Sequence, residues 1–302
     1  MPVPLHSVRG MTTHRIGVMY DRDWAPEGLL PFARDVEALG VDDLWVVEDL
    51  QWTGSIASAS AALAVTERLR VGIGIAPAPL RSPALLAMEL GALARMFPGR
   101  LTAGVGHGVR EWMEQVGAAP RSPLALLEET VEAVRGLLRG EEVTVRGREV
   151  SLDGVRLVHP PAVVPQVLAG VVRPRSLELA GRVADGAIIA EGHGPDDLSS
   201  AMQHMLKGRD AKAARPNLTV FAFLCVDDDP QRLRTTVGPA LDGHAAWLGR
   251  SPEDVFAAAG PAPTAATRVR ELWAAGADTV VLRAVGPEPF RQIEAAVREL
   301  RG

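Results

Sequence analysis

Residues 69–108, LRVGIGIAPAPLRSPALLAMELGALARMFPGRLTAGVGHG, decide the fold. They read strand, helix, strand. Val71, Ile73 and Ile75 are β-branched and are separated by Gly72 and Gly74, the pattern of a short apolar strand. Ser82-Pro83 has the form of a helix N-cap followed by proline at the first helical position. Leu85, Leu86, Met88, Leu90, Leu93 and Met96 supply an apolar helical face, and Phe97-Pro98-Gly99 ends it. Leu101, Ala103 and Val105 form a second apolar strand that runs into Gly106-His107-Gly108. Two such strands joined by a helix make a βαβ unit, so the strands are parallel. Glycines crowd the carboxyl ends of both strands, the edge where parallel α/β folds hold their ligands.

The alternation extends in both directions. Strands are expected near Ile16, Leu44, Val71, Leu101, Val167, Ile188, Val220 and Val280, with helices between them. Eight alternating units predict an α/β fold of the closed (β/α)8 TIM-barrel type. An open doubly wound sheet is the alternative, and it would leave two exposed edges. The repeat is interrupted between strands 4 and 5. A short extra helix is expected at 109–117, and a hairpin at 143–158 with turns at Arg146-Gly147 and Asp153-Gly154. The domain reading is a flexible extension at 1–14 followed by one barrel domain at 15–302.

A chain of 302 residues with 47% hydrophobic content is long enough to bury a substantial core. The formal net charge of −5 argues against nucleic acid as a partner. The single cysteine, Cys225, excludes an internal disulfide and fits a reducing cytoplasm. No apolar run reaches the ~20 residues of a membrane helix. The first ten residues lack the apolar middle of a signal peptide. A small-molecule partner is expected. Walker A, zinc-ligand and Gly-x-Ser-x-Gly patterns are absent, and Gly72-x-Gly74 and Gly104-x-Gly106 lack the third glycine of a dinucleotide fingerprint. No metal site is expected, because His193, His204 and His244 lack metal-ligand partners.

Four groups at strand ends could carry chemistry. Glu48-Asp49 places two carboxylates after the second strand, as acid, base or ligand-orienting groups, or as a solvated helix cap. Gly74-Ile75-Ala76 ends the third strand, where glycine serves either a ligand or barrel packing. In Gly106-His107-Gly108 the glycines permit close approach of a planar ligand, while His107 could donate to that ligand or move a proton near neutral pH. Trp112 could wall the pocket beyond it, along with Tyr20, Trp24 and Trp52. Val172, Arg173, Arg175 and Ser176 follow the fifth strand at a helix start, a combination of backbone N–H groups and cations that suits a phosphate.

The segments VGIGI, LRSPALLAMELGAL and FPGRLTAGVGHG resemble the luciferase-like oxidoreductases, a family of flavin-dependent monooxygenases and of deazaflavin (coenzyme F420) enzymes such as methylenetetrahydromethanopterin reductase. The resemblance covers most of the chain from about Arg15 onward. It implies a cytoplasmic TIM-barrel oxidoreductase, commonly a homodimer, that transfers hydride between coenzyme F420, the favoured cofactor, or FMN and a small organic substrate. An FMN-dependent monooxygenase and a non-catalytic cofactor-binding barrel are the alternatives. It also implies a non-prolyl cis peptide at Gly74-Ile75 under the ring. Glu48, Asp49 and His107 would be the catalytic positions. Gly74, Ile75, Ala76, Gly106, His107, Gly108, Trp112, Val172, Arg173, Arg175 and Ser176 would hold the cofactor, and Arg81, Arg110 and Lys207 its anionic tail. The chain departs from the family in three places. Glu48-Asp49 stands where many deazaflavin members have Asp-His, Val109 where dehydrogenases carry a catalytic glutamate (Glu111 is nearby), and Val172-Arg173 where glycines are more common.

Overall fold

The computed structural model describes residues 14–302. The expected extension at 1–14 lies outside the described residues except for His14, whose ring stacks on Trp273 with centroids 5.3 Å apart. In chain order the strands are β1 Arg15–Met19, β2 Asp43–Val46, β3 Arg70–Pro77, β4 Leu101–Gly106, β5 Val143–Arg146, β6 Ser151–Val155, β7 Gln166–Gly170, β8 Gly186–Ile189, β9 Asn217–Val226, β10 Ala257–Gly260 and β11 Thr279–Ala284. The helices are α1 Leu29–Ala38, α2 Ser55–Ala64, α3 Pro83–Met96, α4 Arg110–Gln115, α5 Pro123–Leu138, α6 Pro174–Val183, α7 Pro195–Gly208, α8 Pro230–Leu248, α9 Ala262–Ala274 and α10 Pro289–Arg301. Ser82 caps α3 as its sequence predicts, accepting from Ala84 N at 3.3 Å.

Parallel pairing runs β11-β1-β2-β3-β4-β7-β8, and β9 closes the ring by pairing with both β8 and β11. This is the expected TIM barrel, with all eight expected strands in place. One further strand, β10, was not foreseen. β8 pairs only with Asn217–Val220 of β9, and β10 pairs with Phe223–Val226 farther along the same strand. It occupies backbone groups that the short β8 leaves free. Three alanines and a glycine carry little strand propensity, which is why β10 escapes a pattern reading.

The hairpin β5–β6 is antiparallel, with its turn at 147–150 closed by Gly147 N to Val150 O at 2.9 Å. The second turn expected at Asp153-Gly154 is instead a bulge inside β6, where the register shifts opposite Thr144 and Gly154 sits at φ +61°. A glycine that signals a turn also serves a bulge, since both require positive φ.

A large apolar core fills the space between strands and helices. A second, smaller cluster of Met19, Trp45, Leu168, Ile188, Phe221 and Val281 fills the bore. Trp45 is 1% exposed and meets the edge of Phe221 at 5.5 Å. The glycines of VGIGI make room for it. A Cβ on Gly72 would lie 2.3 Å from the indole, and one on Gly74 would lie 3.1 Å from it. These glycines are therefore required first by packing.

Candidate active site at the barrel mouth

Above Trp45 the chain turns through a cis Gly74–Ile75 peptide, and the β3–β4 register shifts between Ile73 and Ala76. The cis bond implied by the family resemblance is present. Ile75 points at three glycines on neighbouring strands. A Cβ on Gly104, Gly106 or Gly170 would approach Ile75 side-chain atoms to 3.2, 3.0 and 2.5 Å respectively. One sector of the mouth is thus a nearly side-chain-free wall with Ile75 as its floor. Gly108, just beyond β4, has φ +69°, which explains its identity.

His107 follows this wall at the end of β4, beside the start of α5. Its Nδ1 is buried and has no hydrogen-bond partner. Burial lowers its pKa, and the Pro123 carbonyl opposes that shift. The turn into α6 lies beside it. Arg173 is the N-cap residue, its side chain makes no capping bond, and Pro174 takes the first helical position. Arg173 and Arg175 are exposed, and neither makes an ion pair among the described residues. Half-buried Val172 and Ser176 flank them. A helix start with unpaired backbone N–H groups and two unneutralised guanidinium groups fits a phosphate. The group implied by the family therefore fits: the glycine wall for a flat ring, His107 for its polar edge and the α6 start for its phosphate.

The paired carboxylates behave differently from one another. Glu48 is buried, accepts from Ser55 N at 3.1 Å and from Ser55 Oγ, and pairs with Arg81 Nη2 at 2.7 Å. It fastens the start of α2 to the loop before α3. Asp49 is half-buried and pairs with Arg22 Nη1 at 2.5 Å. The Arg22 guanidinium lies 4.5 Å over Trp52 and 5.9 Å from Trp112, whose rings are 6.0 Å apart. Trp52 and Trp112 therefore lie together around Arg22, beyond the ends of β2 and β4. Tyr20 and Trp24 do not. They pack on each other at 5.1 Å and both on Phe32 at 5.3 Å, and Phe32 meets Phe290 of α10, on the helix-facing side. Alternation along β1 explains this: Met19 faces the bore, so Tyr20 faces outward.

Two residues offered for an anionic tail are also misplaced. Arg81 is committed to Glu48. Lys207 lies twelve residues into α7, about 18 Å down the outside of the barrel from the mouth. Arg110 is 84% exposed and pairs only with Glu114, one turn away. Glu111 is exposed on α4.

The opposite sector holds a cluster that motif reading missed. Arg283 Nε donates to Asp21 Oδ2 at 2.7 Å, and its Nη1 reaches Glu191 Oε1 at 3.2 Å. His244 Nε2 lies 3.8 Å from Glu191 Oε2. Burial pushes Glu191 up, but the facing His244 imidazole and the Arg283 charge outweigh it and hold the carboxyl at about 2. Arg283 also sits 5.7 Å over Phe223, two residues along from the bore residue Phe221. Val237 of α8 packs on Phe223 and Cys225, so α8 lies across the mouth and carries His244 there. The available signal was alternation: Arg283 follows Val281, and Asp21 follows Met19, by two residues on the bore face.

The description Luciferase-like monooxygenase matches residues 8–296. A 5,10-methylenetetrahydromethanopterin reductase from Methanolobus tindarius is 27% identical over 207 residues, 68% of this chain and 63% of the relative. The chain thus spans under two thirds of that relative. A reductase of the same name from Archaeoglobus fulgidus is 26% identical over 261 residues, 85% of this chain and 77% of the relative. An F420-dependent glucose-6-phosphate dehydrogenase from Beutenbergia cavernae is 30% identical over 243 residues, 74% of this chain and 69% of the relative. The coenzyme F420-dependent tetrahydromethanopterin reductase of Methanopyrus kandleri shares the fold, with a TM-score of 0.82 at 18% identity over 95% of this chain and 98% of that one.

Proposed function

The chain belongs to the luciferase-like monooxygenase family, and from that premise we propose that it is an oxidoreductase that uses coenzyme F420, with FMN as the alternative, to exchange hydride with a small organic substrate. The observation that carries this reading is the pair of unneutralised arginines at the α6 start beside the glycine-walled mouth. The names of the relatives favour the deazaflavin over FMN. The tail candidates favour neither cofactor, since only Arg110 remains at the mouth. The bound ring supplies two-electron chemistry. The chain's own residues position it: Ile75 and the glycines support its face, His107 meets its edge, and Arg173, Arg175 and Ser176 hold its phosphate.

Glu48 and Asp49, offered as catalytic, have supporting places in this reading. Glu48 shapes the mouth through Ser55 and Arg81. Asp49 orients Arg22 between the two tryptophans. His107 is left as a ring contact. We assign the homodimer expected of the family to the apolar face of α3, where Leu85, Met88 and Met96 are 46%, 58% and 60% exposed, with Val158 beside them at 86%.

Titration with F420 and with FMN, followed by cofactor fluorescence, tests the reading. Arg175→Ala should weaken binding by about 1.5–3 kcal/mol, the scale of a charge-assisted hydrogen bond. Unchanged affinity in both Arg173→Ala and Arg175→Ala would overturn the phosphate assignment. Tight FMN binding without F420 binding would move the chain to the flavin side of the family.

A further inference from the structure

We propose that the Asp21–Arg283–Glu191–His244 cluster is the substrate end of the site, that it selects an uncharged hydroxyl or carbonyl compound, and that His244 Nδ1 holds the proton exchanged with the substrate oxygen. This rests on the oxidoreductase reading above.

The cluster is furnished against an anionic partner. Two carboxylates face one guanidinium, so Arg283 is already more than neutralised. The other arginines at the mouth are also neutralised, Arg22 by Asp49 and Arg81 by Glu48. Arg173 and Arg175 lack carboxylate partners, and they belong to the cofactor phosphate. A phosphorylated substrate on this side would bring its charges against buried Glu191 and Asp21, 8% and 7% exposed, with no free cation among the described residues of this sector to meet them. The relative from Beutenbergia cavernae is named for a sugar phosphate. This chain's substrate end is not furnished for one.

His244 is the group suited to the proton. Its Nε2 faces Glu191, and about a quarter of its side chain, 24%, stays open. Phe223 meets its ring edge-on at 4.6 Å and Trp247 lies at 5.9 Å, so the imidazole is held between aromatic groups with one nitrogen directed at a carboxylate. Nδ1 makes no protein hydrogen bond among the described residues. The groups facing the ring are Glu191 from the β8–α7 loop, with Arg283 of β11 and Asp21 of the β1–α1 loop behind it. With Nε2 turned to the carboxylate, Nδ1 is the ring nitrogen left to meet a substrate oxygen.

For an alcohol, the substrate C–H bond breaks with its electron pair passing to the oxidised deazaflavin, and the O–H bond breaks with its proton passing to Nδ1. A carbonyl double bond forms. The substrate loses two electrons and the deazaflavin gains them. In reverse, the same nitrogen supplies the proton to the carbonyl oxygen.

The test uses the F420-loaded protein, in which the phosphate site at α6 is filled. Calorimetric titration with inorganic phosphate and with glucose 6-phosphate should show no binding to the wild type. The Asp21→Asn, Glu191→Gln double variant, which frees Arg283, should gain phosphate binding. If it fails to fold, the single Glu191→Gln variant makes the same comparison. With a panel of neutral secondary alcohols and their ketones, His244→Gln should lower kcat by about 100-fold or more, with KM changed less than threefold and F420 affinity unchanged. The pH profile of kcat should lose one limb. Phosphate or glucose 6-phosphate binding to the wild type would overturn the substrate assignment. A His244→Gln variant with wild-type kcat and pH profile would overturn the role of His244. Loss of F420 binding in wild type would instead defeat the cofactor reading.

Discussion

Gly72→Ala should be among the most damaging single-methyl changes in the barrel. The added Cβ would lie 2.3 Å from Trp45 Cδ2 and 2.5 Å from both Cε2 and Cε3. Real contacts of this kind are about an ångström longer. The ring cannot move aside: Trp45 is 1% exposed and lies edge-on to Phe221, and even a Cβ added at Gly17 or Gly74 would lie only 3.0 or 3.1 Å from it. Overpacking a rigid core costs typically 1–3 kcal/mol, and a fused ring with no free rotamer belongs at the upper end, about 3 kcal/mol. In a chain of this size that is a fall of about 6 °C in Tm.

Urea and thermal unfolding of Gly72→Ala, Trp45→Leu and the double variant provide the assay. Trp45→Leu alone should cost about 3 kcal/mol, as large-to-small core changes do. The double variant should be less damaged than the sum by about 2 kcal/mol, because the leucine vacates the space the new methyl takes. Gly243→Ala is the control. It lies inside α8, is exposed and has open space around its Cβ position, so alanine there should stabilise by about 0.5–1 kcal/mol. Additive costs in the double variant, or a Gly72→Ala protein as stable as the wild type, would refute the packing account of the VGIGI glycines.

Two further outcomes are expected. Glu191 has its folded-state pKa depressed from 4.5 to about 2, so its stabilising contribution is complete above pH 4.5 and is lost as pH falls from there toward 2. Urea midpoints measured at pH 5, 4 and 3 should fall more steeply for wild type than for Glu191→Gln, and parallel curves would contradict the ion-pair description. Met88→Glu, which puts a charge on the exposed apolar face of α3, should halve the mass seen by light scattering if that face joins two copies, and an unchanged mass would remove it as the interface.

The barrel was legible because its signal is repeated and local. Short apolar runs such as LWVV and QVLA stand between helix-period segments, and eight of them leave little choice of architecture. The α6 start could be located for a similar reason: a proline after a strand end, with two arginines and a serine, lies within seven residues of sequence. Legibility failed where contacts join distant parts of the chain or where one residue type serves two purposes. The glycines of VGIGI point equally to a ligand and to packing until Trp45, on another strand, is seen filling the bore against them. Tyr20 and Trp24 suggested a pocket by residue type, yet the alternation along β1 sends Tyr20 outward and Trp24 packs beside it on Phe32. The charged sector was hardest to find, because Asp21, Glu191, His244 and Arg283 come from four separate segments that only barrel closure brings together. His244 depends besides on α8 crossing the mouth, which rests on Val237 packing against Phe223 and Cys225. Strand alternation could place Arg283 and Asp21 on the bore face. Nothing in the local sequence of α8 shows which face of the barrel it covers, and that packing is what turns an isolated histidine into the partner of a buried carboxylate.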